Sequence, residues 1–163
     1  MRAAVAGDMA IAAEIFGHYV TTGVATFETV PPTEEDWRRK LADLTGRGLP
    51  FLVCERDGRV AGYAYAAPWR TKPAYRHTVE DTIYVAPGQT GQGLGGQLLR
   101  SLLQECQQAG LEQVIAVIAD GGDPASAALH RVAGFTDAGR LCNVGRKYGR
   151  LLDTLLMQRD LTA

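Results

Sequence analysis

At 163 residues, 46% of them hydrophobic and 21% charged, the chain has the size and composition of one globular domain with a proper core. Its formal net charge of −1 excludes a general electrostatic attraction to nucleic acid or acidic membranes. Three scattered cysteines without CxxC or Cys/His spacing, and no stretch of signal or membrane-span length, predict a reduced, soluble, cytoplasmic protein.

Asp8 reads as the N-cap of a first helix, with Ile11, Ile15, Phe16, Tyr19 and Val20 at helical spacing and Gly23 as its stop. "VATFETV" is a loop that exposes Phe27 and Glu28. In "PPTEEDWRRKLADLTG" Thr33 caps a second helix, Asp36 completes a capping box, and Trp37, Leu41 and Leu44 share one face. The period then changes to two. "FLVCERDGRVAGYAYA" is a hairpin around Asp57-Gly58. "HTVEDTIYV" is a third strand with Thr78, Glu80, Thr82 and Tyr84 on one face and Val79, Ile83 and Val85 on the other. Asp81 shares the apolar face, where it is expected to accept a structural hydrogen bond. A glycine-rich loop leads into a helix with Leu94, Leu98, Leu99, Leu102, Leu103 and Cys106 on its apolar side, ended by Gly110. "QVIAVIA" is a buried strand, "DPASAALHRVAG" a short helix, "FTDAGRL" a strand and "RLLDTLLMQRDL" a final strand. The order β-α-α-β-β-β-α-β-α-β-β predicts one α/β domain of the α+β type over residues 1–163, with a mixed sheet of about seven strands. Helices are expected on both faces.

The loop "GQTGQGLGGQLL" gives up side chains where a helix begins, as phosphate-binding loops do. Gly91, Gly93 and Gly96 satisfy G-x-G-x-x-G, and Asp120 follows at the spacing of a ribose-binding acid. The context opposes a dinucleotide fold, since a hairpin precedes the loop and too little chain follows for further βα units. No Gly-Lys-Ser/Thr follows, so a P-loop fails as well. By itself the glycine pattern is equally compatible with a bare β-α turn.

The flanking residues narrow the choice. "VEDTIYVAPGQTGQGLGGQLLRSLLQE" resembles the acetyl-CoA motif Q/R-x-x-G-x-G/A of the GNAT N-acetyltransferase superfamily, with Thr90 where glutamine or arginine is usual. "DPASAALHRVAGF" resembles that superfamily's second motif, with Asp123 in place of asparagine. "HYVTTGVATFETVPPTEEDW", "WRTKPAYRHTVEDTIYV" and "VGRKYGRLLDTLLMQRDL" are together similar to the phosphinothricin and methionine sulfoximine N-acetyltransferases, over nearly the whole chain. Arg146 and Leu151 depart from the aromatics common there.

The resemblance implies a GNAT fold whose sheet opens to admit acetyl-CoA along Ile83, Tyr84 and Val85. The cofactor would be held by Thr90, Gly91, Gln92, Gly93, Leu94, Gly95 and Gly96, and by Asp123 and Ser126. It implies a homodimer and no metal; His18 and His77 lack metal-like partners. Acetyl transfer to an amine needs a base, a polarised carbonyl and a proton for the departing thiolate. Glu80 is the expected base, weighed against a structural ion pair with Arg76. A backbone N–H near Val85 would polarise the carbonyl. His130 stands where the superfamily often has tyrosine and is weighed equally as the general acid and as a packed helix-end residue. Arg76, with a planar fork suited to a carboxylate, is expected with Arg70, Tyr75, His77 and Thr78 to contact an amino-acid acceptor, and Phe27 and Glu28 to cover it. The leading expectation is acetylation of a small amino-acid analogue. A GNAT acting on a polyamine, drug or peptide N-terminus, and a non-catalytic acyl-CoA sensor, are the rivals.

Overall fold

The computed structural model describes residues 1–163, and its strands form one seven-stranded sheet in the order β1-β2-β3-β4-β5-β7-β6. These are β1 (Arg2–Ala3), β2 (Phe51–Arg56), β3 (Arg59–Pro68), β4 (Thr78–Val85), β5 (Gln113–Asp120), β6 (Thr136–Lys147) and β7 (Arg150–Asp160). The helices are α1 (Met9–Thr22), α2 (Glu34–Gly46), α3 (Leu94–Gln108) and α4 (Ala125–Val132). Every neighbouring pair of strands is antiparallel except β4–β5. No helix is long and apolar enough to cross a membrane.

Alternation along the strands builds a core on each face. Tyr63 and Tyr65 of β3 join Phe16, Val20, Trp37 and Leu41 beneath α1 and α2. Ala64 and Ala66, one residue out of phase, face Leu98, Leu99 and Leu102 of α3 on the other side. Small residues on that second face let α3 lie close to the sheet. The Asp57-Gly58 turn has φ of 51° and 74°, the paired left-handed conformation that a two-residue hairpin requires. Thr33 and Asp36 form the expected reciprocal cap, with N–H contacts of 2.8 and 3.1 Å.

Two expectations are corrected in part. Asp8 stands at the N-cap position of α1 as expected, but its backbone is already helical and its side chain makes no capping bond to the helix. Its carboxylate instead takes the Val5 N–H at 2.8 Å and both terminal nitrogens of Arg2, which tie the N-terminal segment down. The strand in "FTDAGRL" extends much further, to Lys147, because β6 is carried past its polar and glycine residues by pairing to β7 with two register shifts. Tertiary pairing overrides local propensity there.

Candidate active site

The parallel strands β4 and β5 pair only at Thr78–Gln113, Val79–Val114 and Glu80–Ile115. Beyond Glu80, β4 stays with β3 to Val85, while β5 stays with β7 to Asp120. The sheet therefore forks. Trp69 N–H donates to the Thr78 carbonyl and Ala86 N–H to the Ala61 carbonyl, so even positions of β4 serve β3. By alternation, Ile83 and Val85 turn their peptide groups into the gap. The Val85 carbonyl there accepts the Tyr19 hydroxyl at 2.5 Å.

The glycine loop brings a second donor set to the same place. Gly91 and Gly93 have φ of 73° and 80°, in the left-handed region that disfavours a Cβ by about 1–2 kcal/mol. Gly93 caps α3 without any side-chain bond. The first intrahelical donor is Gln97, to the Gly93 carbonyl at 3.1 Å, so the N–H groups of Leu94, Gly95 and Gly96 have no helical acceptor. With the helix dipole they favour an anion. A Cβ on Gly93 would have nothing within 4 Å. The free helix end faces open space.

Fork and helix end open onto one cavity of about 1110 Å³. Of the residues expected at the cofactor, Ile83, Tyr84 and Val85 line it from β4, and Thr90, Gly91 and Gly93 to Gly96 line it from the loop and α3. Asp123 and Ser126 line it from the start of α4; Gln92 does not, and its side-chain amide reaches the Gly88 carbonyl at 3.5 Å. Of the acceptor residues, Phe27 and Glu28 line the cavity, whereas Arg70, Tyr75, Arg76, His77 and Thr78 lie outside its wall. Arg76 is exposed and forms no ion pair with Glu80. Arg146 and Leu151 face each other across the β6–β7 ladder and also lie outside the cavity.

Glu80 stands at the fork, half-buried, with no ion-pair partner. Burial, reinforced by the neighbouring Asp81, raises its carboxyl above the ordinary range, against the opposing charges of Arg70 and Lys40. His130 is buried on α4 against the ring of Phe135, with Nδ1 at 2.7 Å from the Ser126 carbonyl and Nε2 at 2.9 Å from Asp81 Oδ2. A carbonyl only accepts, so Nδ1 donates. Nε2 faces the Asp81 carboxyl, so an imidazolium at this position donates from both ring nitrogens. Burial pulls the imidazole down, but the hydrogen bond and charge of Asp81, aided by the Ser126 carbonyl, outweigh it and hold His130 above its ordinary value. Asp81 is thus the structural acceptor expected from the sequence, and its partner is His130.

Contacts invisible to spacing hold the covering loop. A Cβ on Gly121 would collide with Val24, and one on Gly145 with the ring of Phe27. Buried Lys147 donates to the Thr26 carbonyl at 2.9 Å, and the Tyr148 hydroxyl to the Val20 carbonyl at 3.1 Å. The segment from Val24 to Phe27 is pinned at three points by residues about a hundred positions away. Lys40 and Tyr65, which no sequence pattern singled out, also line the cavity.

The sequence pattern of the Acetyltransferase (GNAT) family matches residues 14–135. The chain belongs to this family. It is 47% identical to a phosphinothricin N-acetyltransferase of Alcaligenes faecalis over 96% of this chain and 79% of the relative. It is 38% identical to an L-methionine sulfoximine/L-methionine sulfone acetyltransferase of Salmonella typhimurium over 94% of this chain and 90% of the relative. A GNAT phosphinothricin acetyltransferase from Sinorhizobium meliloti, solved with acetyl-CoA, superposes with a TM-score of 0.93 at 44% identity, covering 98% of this chain and 86% of that one. The forked sheet and seven-strand order are this family's fold.

Proposed function

We propose that this GNAT chain moves the acetyl group of acetyl-CoA to the amino group of a small amino-acid analogue of the phosphinothricin or methionine sulfoximine type. The observation that carries the reading is the fork: unpaired β4 amides, an uncapped helix and a half-buried, unpaired carboxylate meet in one cavity. The names of the relatives support the acceptor class.

Acetyl-CoA supplies the activated acyl group as a thioester. The amides of Leu94, Gly95 and Gly96 suit its pyrophosphate, and the amides of Ile83 and Val85 suit its amide-bearing arm and polarise the carbonyl. Glu80 takes a proton from the acceptor ammonium, directly or through one water, and its raised pKa makes it a stronger base than an exposed carboxylate. As the N–C bond forms and the C–S bond breaks, the nitrogen gives up its second proton to solvent and the departing thiolate takes one up. His130 is the proposed donor; to act it must release its contact with Asp81 or the Ser126 carbonyl and regain the proton from water. The tyrosines in the wall are weaker acids, since burial raises Tyr19 and pushes Tyr84 up to about 12. Arg70 and Arg76 both lie outside the cavity wall. Arg70, whose charge bears on Glu80 and which stacks on Trp69, is proposed alongside Arg76 as a partner for the acceptor's α-carboxylate. A second copy of the chain is proposed to cover the exposed Leu141, Val144 and Leu151, which sedimentation of the purified protein reads directly.

The test is thiol release from acetyl-CoA against phosphinothricin, methionine sulfoximine, methionine sulfone, a polyamine and a short peptide. Release with the amino-acid analogues and not with the others is expected. Turnover confined to the polyamine or peptide would transfer the chain to another acceptor class, and tight acetyl-CoA binding with no turnover would make it a sensor.

A further inference from the structure

Lys40 lies almost one turn after Trp37 on α2 and is exposed overall, but its ammonium is folded back over the aromatic wall. Its Nζ sits 5.0 Å from the ring centres of both Trp37 and Tyr65 and 3.1 Å from the Tyr65 hydroxyl. It lines the main cavity together with Glu80, and also a smaller cleft of about 470 Å³ between α2 and the Val30–Thr33 segment. The other cations of α2 and its C-cap are paired with acids of the helix: Arg38 with Glu34, Arg39 with Asp36 and the C-cap Arg47 with Asp43. Lys40 has no carboxylate within 4.0 Å. Arg70, on the segment after β3, is also unpaired and stacks on Trp69 at 3.9 Å. Two cations without a carboxylate partner therefore stand near the acceptor end on separate elements, Lys40 in the cavity wall and Arg70 outside it. The wall there also carries Glu80 and Glu28.

An amino-acid acceptor has one α-carboxylate, which one arginine satisfies. We propose that Lys40 selects acceptors whose side chain carries a second anion, through contact between its ammonium and that group. The assignment rests on the acetyl-transfer reading above and specifies its substrate class. Phosphinothricin and methionine sulfone make the comparison clean. Both are α-amino acids with a two-carbon spacer and a terminal tetrahedral centre bearing two oxygens and a methyl group. The first has an anionic phosphinate and the second a neutral sulfone, so shape is held and one charge differs. A lysine is a point charge without directional fork, suited to attracting an anion of either tetrahedral or planar form. A side-chain carboxylate at the same distance, as in L-glutamate, shares the attraction.

Steady-state kinetics with phosphinothricin, L-glutamate and methionine sulfone test this on wild type, Lys40→Met and Lys40→Arg. Methionine keeps the apolar stem against Trp37 and Tyr65 and removes the charge. The ratio of kcat/KM for phosphinothricin over methionine sulfone is the readout, because any effect of Lys40 on Glu80 acts on both acceptors and cancels. Wild type should prefer phosphinothricin, with a KM that rises with salt. Lys40→Met should cut the ratio by about tenfold or more, the scale of one charge-assisted contact, and Lys40→Arg should recover most of it. Glutamate turnover that falls with phosphinothricin in Lys40→Met would also support the second-anion rule. An unchanged ratio in Lys40→Met, with both acceptors turned over, overturns the role of Lys40 and leaves the acetyltransferase reading standing. Failure of wild type to release thiol with any of the three overturns both.

Discussion

Glu80 combines two properties that ordinarily exclude each other: it is partly withdrawn from water and has no cation bonded to it. Its carboxyl is raised, so protonation is favoured in the fold. The stability it contributes is present below the ordinary glutamate value and is lost as pH rises through the raised one. At neutral pH the ionised group strains the structure, as a catalytic group can. Glu80→Gln should therefore lower kcat by roughly a hundredfold or more at pH 7 while raising Tm by about 1–4 °C. A variant with full turnover would place the base elsewhere, and a lowered Tm would make Glu80 structural. Its place on the polar face of the strand before the glycine loop was legible from period-two alternation, while its expected role came mostly from the family resemblance. Asp81 was legible as a buried acceptor, but its partner was not. His130 lies 49 positions away on another element, and nothing in local spacing joins them. Arg76 was expected at the acceptor from its planar fork and from the family resemblance. The structure places it exposed and outside the cavity wall, a position set by the folded turn that side-chain chemistry does not encode.

At the scale of elements, the strand–loop–helix unit was readable because its demands are local: left-handed glycines, an uncapped helix start and an apolar stripe on α3. The covering loop was not, because three distant contacts hold it. Gly145 illustrates the difference. Its φ is not in the left-handed region, so its need for glycine is spatial: the Phe27 ring occupies the place of a side chain. Gly145→Val should displace Phe27, loosen the Val24–Phe27 segment and raise the acceptor KM by about tenfold, with acetyl-CoA binding changed far less. Phe27→Ala in the same background should add little, because the contact is already lost. Equal losses for acetyl-CoA and acceptor would mean instead that β6 has been disrupted as a whole. Limited proteolysis near residue 25 is a second readout, expected to accelerate in Gly145→Val if the segment is released.

For the whole molecule, the fork divides the sheet into a β1–β4 half and a β5–β7 half, joined along the strands by only three paired positions. The buried core under α3 holds them on one face. The Asp81–His130 contact adds a polar bridge from β4 to α4 beyond the point where pairing stops. This bridge makes stability depend on pH in a definable direction. Unfolded histidine titrates near 6.5, and His130 in the fold titrates higher. Below 6.5 both states hold the proton, and the stabilisation is complete. Between the two values the folded state keeps a proton that the unfolded state has lost, so stability falls as pH rises. Above the folded value it is gone. Glu80 gives the same sign, but its window begins at the lower, carboxylate pKa. Melting temperatures from pH 5.5 to 9 should therefore decline above 6.5 in wild type and in Glu80→Gln. The decline should be much flatter in His130→Gln, which keeps a side-chain donor but cannot titrate. His130→Gln should be less stable than wild type at pH 6, because Asp81 then faces a neutral partner, and the two curves should converge toward pH 9. An undiminished decline in His130→Gln would show that another group carries the pH dependence and that the bridge is not a charged pair.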